Sequence, residues 1–181
     1  MRKPTMAFPR ALPFLLLPVL ACGPTVPEDA ACARFSFPQS PQPGSTVHLA
    51  CSSTACGDGL SPPTSGPHCS NTAPCRVHEA ALNPCVWLHN LEHGHAVFLY
   101  NCPEGCPDVI ATLDALRQEV PLGTNGVARA LIAPSPHLPS RVAALLWRRS
   151  WLSDSADPEA LRCFLKLQDE DAPEPGLSCL P

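Results

Sequence analysis

Apolar residues lie in short runs along this chain, and their spacing predicts both strands and helices. The run from His95 to Tyr100 is apolar enough for a strand buried on both faces. Apolar residues at helical spacing follow over 108–120, where Pro107 suits a helix start. A second apolar strand is predicted over 127–133. Because a strand, a helix and a strand within about 40 residues form a βαβ unit, we expect the two strands to be parallel.

The C-terminal part of the chain predicts two further helices. One is expected from Ser140 through Leu152, and another begins at Pro158 with Asp157 as its N-cap. A short strand is also expected over 46–51. Together these elements predict a small single α+β domain, with a short mixed sheet containing the βαβ unit and with C-terminal helices.

The N-terminus has the pattern of a secretory leader. A basic start precedes an apolar stretch over 11–20, which is too short to span a membrane. The following Val19-Leu20-Ala21-Cys22 is similar to the bacterial lipobox, in which the cysteine is lipidated. We therefore expect a lipoprotein signal peptide over 1–21, lipidation with palmitate at Cys22, and a membrane-anchored chain on the periplasmic or outer face of the cell envelope. Plain secretion after cleavage at a nearby small residue is the alternative.

Composition shifts along the mature chain predict its organisation. Residues 22–44 are rich in proline and polar side chains, which is typical of a flexible tether. The folded domain is expected over 45–172 with a tail over 173–181, and the acidic stretch after Leu167 is expected to fray.

Charge and cysteine content narrow the class of protein. The 181 residues, 45% hydrophobic and 15% charged, allow one packed domain, and the net charge of −4 argues against a nucleic-acid partner. Eleven cysteines are many for a reducing compartment. With Cys22 lipidated, ten remain, and this even number favours five disulfides that staple the domain. Local candidates for pairing are Cys102 with Cys106 and Cys163 with Cys179.

Five of the seven histidines lie between positions 68 and 95. His89 and His93 share one face of a helical turn, which suits two imidazoles on one metal ion. His68, from another segment, would complete a three-histidine site. Glu92 is a candidate fourth ligand or a residue that orients a ligand, and His95 either begins the strand or adds a ligand. Imidazole ligands outside the cytoplasm favour Zn or Cu(II).

The same residues allow other functions. A three-histidine site with an open position could activate water, so a metal-dependent hydrolase of the envelope is an alternative. The string His89-x-x-Glu92-His93 matches the inverted zinc-protease pattern, but Gly94 limits the predicted helix to about one turn. Hydrogen-bonded histidines would instead brace loops in an interaction module without metal. No catalytic residue is assigned, and the one partner predicted is the membrane, through the lipid anchor.

Two motifs resemble the bacterial domain-of-unknown-function 3105 family. They are Pro62-Pro63-Thr64-Ser65-Gly66-Pro67-His68 and His89-Asn90-Leu91-Glu92-His93-Gly94, the second leading into an apolar strand. The resemblance implies that His68, His89 and His93 belong to one site and that the protein is exported or membrane-anchored. It supplies no established reaction. This chain departs from the family at His95, where a small residue is usual, and in its dense cysteines after the first motif.

Overall fold

The computed structural model describes residues 28–181, so the predicted signal peptide over 1–21 and Cys22 lie outside the described residues. Within the described part, no helix has the length and apolar character needed to cross a membrane. Along the chain the elements are α1 (Glu28–Cys32), β1 (His48–Leu49), β2 (His68–Cys69), α2 (Pro84–Glu92), β3 (Ala96–Tyr100), α3 (Pro107–Arg117), β4 (Ala130–Pro134), β5 (Val142–Leu146), β6 (Arg149–Ser153) and α4 (Pro158–Leu165).

A four-stranded mixed sheet, in the order β4-β3-β5-β6, forms the centre of the domain. Strands β3 and β4 are parallel, and α3 connects them, so the predicted βαβ unit is confirmed. Strand β5 is antiparallel to both β3 and β6. A separate two-stranded parallel pair, β1 with β2, lies outside this sheet.

Both faces of β3 are buried, as the apolar run over 95–100 predicts. On one face Phe98 and its neighbours pack against α3 and α4, including Leu113 and Phe164. On the other face Leu99 and its neighbours pack against α2, including Leu91. The sheet thus has helices on both sides, and the α+β class is confirmed.

The helix predicted from Ser140 through Leu152 is wrong, because these residues form the β5–β6 hairpin. Leu146 pairs with Arg149, and the two residues between them form the turn, where Arg148 has a φ of 63°. Every residue of β5 is buried, since β5 lies inside the sheet. A short continuous apolar run fits a buried strand as well as a buried helix, and the sheet contacts decide between them. The helix after Asp157 is confirmed. The Asp157 side chain accepts a hydrogen bond from the Glu159 N–H.

Five disulfides staple the described chain, as its cysteine count predicts. The pairs are Cys32–Cys163, Cys51–Cys69, Cys56–Cys85, Cys75–Cys179 and Cys102–Cys106. The pairing of Cys102 with Cys106 is confirmed, whereas the pairing of Cys163 with Cys179 is wrong. Because α4 packs beside α1, its cysteine bonds to Cys32 instead of to the tail.

Residues 28–44 and 173–181, on either side of the predicted domain, make contacts with it. Within the stretch expected to be a tether, the Cys32 disulfide holds α1 on α4, and the Phe37 ring packs edge-on against Phe164 at 5.2 Å. In the segment expected to be a fraying tail, Cys179 is 1% exposed and is bonded to Cys75. A covalent bond into the core holds each segment in place.

Candidate metal centre

Helix α2 presents His89 and Glu92 three residues apart, on neighbouring positions of one helical face. The helix begins where the Asn83 side chain accepts a hydrogen bond from the Cys85 N–H, and it runs for nine residues, longer than the single turn expected. It ends before Gly94, whose φ of 75° suits glycine. A Cβ at this glycine would collide with the Asp169 carboxylate, so both its backbone angle and its surroundings select glycine.

The loop before His68 is braced by the Asp58 carboxylate. This carboxylate accepts hydrogen bonds from the Thr64 N–H, the Thr64 hydroxyl and the Ser65 hydroxyl, at 2.9 to 3.2 Å. Gly66 has a φ of 101°, and a Cβ there would lie 2.6 Å from the backbone of another loop residue, Gly57. The first motif therefore packs two loops tightly together, and it places His68 at the end of them with no solvent exposure.

His48, which is not among the ligands predicted from the sequence, completes the cluster. It lies on β1 directly opposite His68 of β2, and a disulfide between Cys51 and Cys69 closes the same pair of segments. The strand over 46–51 was predicted, but its partner was not, so no sequence signal placed His48 beside the motif histidines. Its side chain is 49% exposed, whereas that of His68 is fully buried.

Three imidazole nitrogens converge on one carboxylate oxygen. The Glu92 Oε2 atom lies 2.9 Å from His68 Nε2, 3.7 Å from His48 Nε2 and 3.8 Å from His89 Nε2. One donor atom from each of the four residues lies within 4.8 Å of the other three. We call His48, His68, His89 and Glu92 the four-donor cluster.

The hydrogen bonding of His68 directs its Nε2 atom at a carboxylate. Its Nδ1 lies 2.8 Å from the carbonyl oxygen of Gly66, and a carbonyl only accepts, so Nδ1 carries a proton. In the neutral ring, Nε2 then has a lone pair, and it faces the Glu92 oxygen at 2.9 Å. Two lone pairs repel at this distance unless a proton or a metal ion lies between them. A backbone carbonyl that fixes the tautomer in this way is typical of metal-bound histidine.

The donor set and its spacing fit a transition metal ion. Zinc bonds of about 2.0–2.1 Å in tetrahedral geometry place neighbouring donors about 3.3 Å apart. The distances from Glu92 Oε2 to the three nitrogens lie on either side of that value. Within the described residues the ion-pair partners of Glu92 are histidines, so no arginine or lysine neutralises this nearly buried carboxylate.

The environment of His89 favours the neutral imidazole that metals bind. Burial lowers the pKa of His89, and the nearby rings of His93 and His68 lower it further, against the opposing effect of Glu92. Its Nδ1 atom is buried without a hydrogen-bond partner in the described part of the chain. A deprotonated ring is the form that coordinates metal. Binding of a metal ion therefore requires little loss of protons from His89.

His93, predicted as the third ligand, lies beside the four-donor cluster rather than in it. It is the C-cap residue of α2, and its ring contacts that of His89 with centroids 4.4 Å apart. Its Nε2 atom lies 3.3 Å from a carboxylate oxygen of Glu174. The structure thus brings together His68, His89 and Glu92, and it places His93 at their edge.

His95, an additional candidate ligand, has both ring nitrogens occupied. The Asn90 amide lies 3.1 Å from Nδ1, and Nε2 lies 2.8 Å from the Leu177 carbonyl oxygen. Burial lowers the pKa of His95 to about 4, so the ring is neutral at pH 7 and donates from Nε2. The sulfurs of Cys75 and Cys179 lie near it, but they are joined in a disulfide and offer no thiolate. His95 therefore braces the tail.

A family model matches residues 51–180, the range that contains both motifs. His48 lies three residues before the matched range, whereas His68, His89, Glu92 and His93 lie inside it. No curated protein and no solved structure matches the chain. The chain belongs to the family of proteins of unknown function DUF3105.

Proposed function

We propose that this protein binds a divalent transition metal ion, Zn²⁺ or Cu²⁺, in the four-donor cluster, as a lipid-anchored protein of the cell envelope. The observation that carries the proposal is the convergence of three histidine nitrogens on one nearly buried carboxylate oxygen. Imidazole nitrogen is a common ligand of both ions, and a cation at the centre would contact both the His68 Nε2 atom and the Glu92 Oε2 atom.

Export and anchoring are part of this proposal because of the cysteines and the leader. Five disulfides join all ten cysteines of the described chain, which is typical of an oxidising compartment. The leader pattern over 1–21 and the lipobox-like segment ending at Cys22 support lipidation. Because every described cysteine is in a disulfide, the metal site relies on imidazole and carboxylate donors.

Four protein donors support metal binding over hydrolysis. A catalytic zinc ion usually has three protein ligands and a water in the fourth position, whereas a four-ligand site is closed. The four-donor cluster would fill a tetrahedral coordination sphere, which leaves no position for an activated water. Binding, storage or delivery of the ion therefore fits the donor set better than a hydrolase does.

The test compares metal binding by the oxidised full chain and by its variants. Elemental analysis and calorimetric titration should find a first equivalent of Zn²⁺ or Cu²⁺ bound tightly by the wild type. His48→Ala should weaken that equivalent about 10-fold to 100-fold, and its half-exposed side chain makes loss of folding a small concern. The exposed His137 provides a matched control, and His137→Ala should leave the affinity unchanged.

The Glu92→Gln variant distinguishes a metal-binding role of the four-donor cluster from a role in bracing loops. The amide removes the negative charge but can donate an N–H to the His68 Nε2 lone pair, which keeps a hydrogen bond at that position. We expect the affinity for the first equivalent to fall about 100-fold, while the melting temperature of the metal-free protein stays equal or rises. Absence of bound metal after reconstitution of the wild type with both ions would contradict the proposal and favour the bracing function.

A further inference from the structure

A second group of potential ligands adjoins the four-donor cluster. His93 and Glu174 each offer one ligand atom, and together with a Glu92 carboxylate oxygen these atoms lie within 4.8 Å of one another. The distance from His93 Nε2 to Glu174 Oε2 is 3.3 Å. Glu92 is therefore a member of both groups, and His93, which the first group leaves out, belongs to the second.

The backbone holds Glu174 in place although its side chain is 57% exposed. Its own N–H donates to the Glu92 carbonyl oxygen at 3.0 Å, which fixes this residue directly over the end of α2. On one side of it, the Gly176 N–H donates to the Asp169 carboxylate at 3.2 Å, and further on the Cys75–Cys179 disulfide secures the chain. Glu174 is thus positioned by its backbone while its carboxylate faces solvent.

The ring of His89 lies against both groups. Its centroid is 5.1 Å from that of His68 in the first group and 4.4 Å from that of His93 in the second. Its Nδ1 atom, in a residue that is 8% exposed, has no hydrogen-bond partner in the described chain. The boundary between the two groups therefore retains a buried nitrogen whose bonding is unsatisfied.

We propose that a second divalent transition metal ion binds to His93, Glu174 and Glu92, with the Glu92 carboxylate bridging the two ions. A carboxylate has two oxygens, and bridged pairs of ions are a recurrent arrangement in proteins. Three protein ligands and an exposed Glu174 leave coordination positions open to water, so the second ion should bind more weakly and exchange faster. This inference rests on the proposed function, because Glu92 is shared with the four-donor cluster.

A titration of the metal-free, oxidised full chain with Co²⁺ tests the second metal site, because the visible absorption of Co²⁺ reports its coordination number. The wild type should take up two equivalents, the first with the intense visible bands of a tetrahedral ion and the second with the weak bands of a higher coordination number. Glu174→Gln should remove the second equivalent and change the affinity for the first by less than about 3-fold. Glu170→Gln is the matched control, since Glu170 is similarly exposed and pairs with Arg149, and it should still bind two.

The possible outcomes distinguish this inference from the proposed function. The wild type could instead saturate at one ion, with an affinity that Glu92→Gln lowers and Glu174→Gln does not. That result would overturn the second site and leave the first in place. If Glu174→Gln still binds two ions, the assignment of the second site is overturned. If the wild type binds no ion, both proposals fail.

Discussion

The central sheet and the histidine-bearing segments are held in shape by different forces. The sheet region, residues 96–165, consists of four paired strands with an apolar core on each face. The site region, residues 45–95, has two strands of two residues each and one helix. Its shape depends on three disulfides, on the apolar face of α2 and on buried polar side chains such as those of Asn90 and Glu92.

This difference shows how a rigid ligand geometry can form without much regular structure. In the sheet region, apolar burial is non-directional and is shared among many residues. In the site region, single bonds fix single positions: Asn90 alone both accepts from the Ala73 N–H and donates to the Ala73 carbonyl. We therefore expect substitutions in the sheet region to change global stability alone, and substitutions in the site region to change metal affinity as well.

The largest effect on stability should come from Phe98→Ala. Phe98 is fully buried in β3, the strand that pairs with both β4 and β5, so its truncation leaves a cavity in the sheet region. The free energy of unfolding should fall by about 3–5 kcal/mol, measured by urea denaturation. Metal affinity of the folded fraction should be unchanged. Leu152→Ala, at a partly exposed position of β6, is the control, and an equal loss of stability there would contradict the comparison.

The next largest effect on stability should come from the double variant Cys51→Ser with Cys69→Ser. It removes the covalent link between the segments that carry His48 and His68. Opening this loop should cost about 3 kcal/mol of stability by the chain-entropy model. The affinity for the first metal equivalent should fall about 10-fold, since His48 is then held by two residues of strand pairing.

The matched control for that change is the loss of the disulfide in the sheet region. Cys102→Ser with Cys106→Ser opens a much shorter loop, at the start of α3. It should cost about 2 kcal/mol by the same model and leave metal affinity unchanged. Equal loss of affinity in the two double variants, measured by calorimetric titration, would show that disulfides do not position His48 locally.

The smallest effect on stability should come from Asp169→Asn. Asp169 lies where the sheet region and the site region meet. Arg129, before β4, donates to both Asp169 oxygens, and its Nη1 also lies 3.5 Å from the Gly94 carbonyl at the end of the site helix. Burial raises the pKa of Asp169, but the hydrogen bonds and charge of Arg129 outweigh it, so the pKa lies below its usual value. The variant should lose about 1–2 kcal/mol of stability at neutral pH.

The pH dependence of that loss has a definite sign. Because the native pKa of Asp169 is lowered, the stability that its pairing contributes is present above the unfolded pKa of about 4 and is lost at lower pH. The difference between the wild type and Asp169→Asn should therefore shrink as the pH falls below about 4, measured by denaturation of the metal-free proteins. Asp154→Asn, at an exposed position, should show no such difference.

The sequence predicted the elements whose contacts are local and missed those whose contacts are distant. The βαβ unit and the helix after Asp157 followed from periodicity and capping. The apolar run of the β5–β6 hairpin fits both a helix and a strand, and the sequence alone predicts a helix there. The site was half predictable: the motif histidines His68 and His89 indicated it, but Glu174 gave no signal in its acidic surroundings.

By itself, the sequence determined the α+β class, the number of disulfides and the segment in which the histidines concentrate. These features follow from residue counts and from spacings along the chain, without knowledge of distant contacts. The tertiary structure alone decided which cysteines pair, which histidines share a carboxylate and that His48 is among them. Metal ligands must meet within a few ångströms, and that proximity depends on how distant segments pair. In this protein β1, β2 and the Cys51–Cys69 disulfide produce that pairing, and no periodic pattern encodes it.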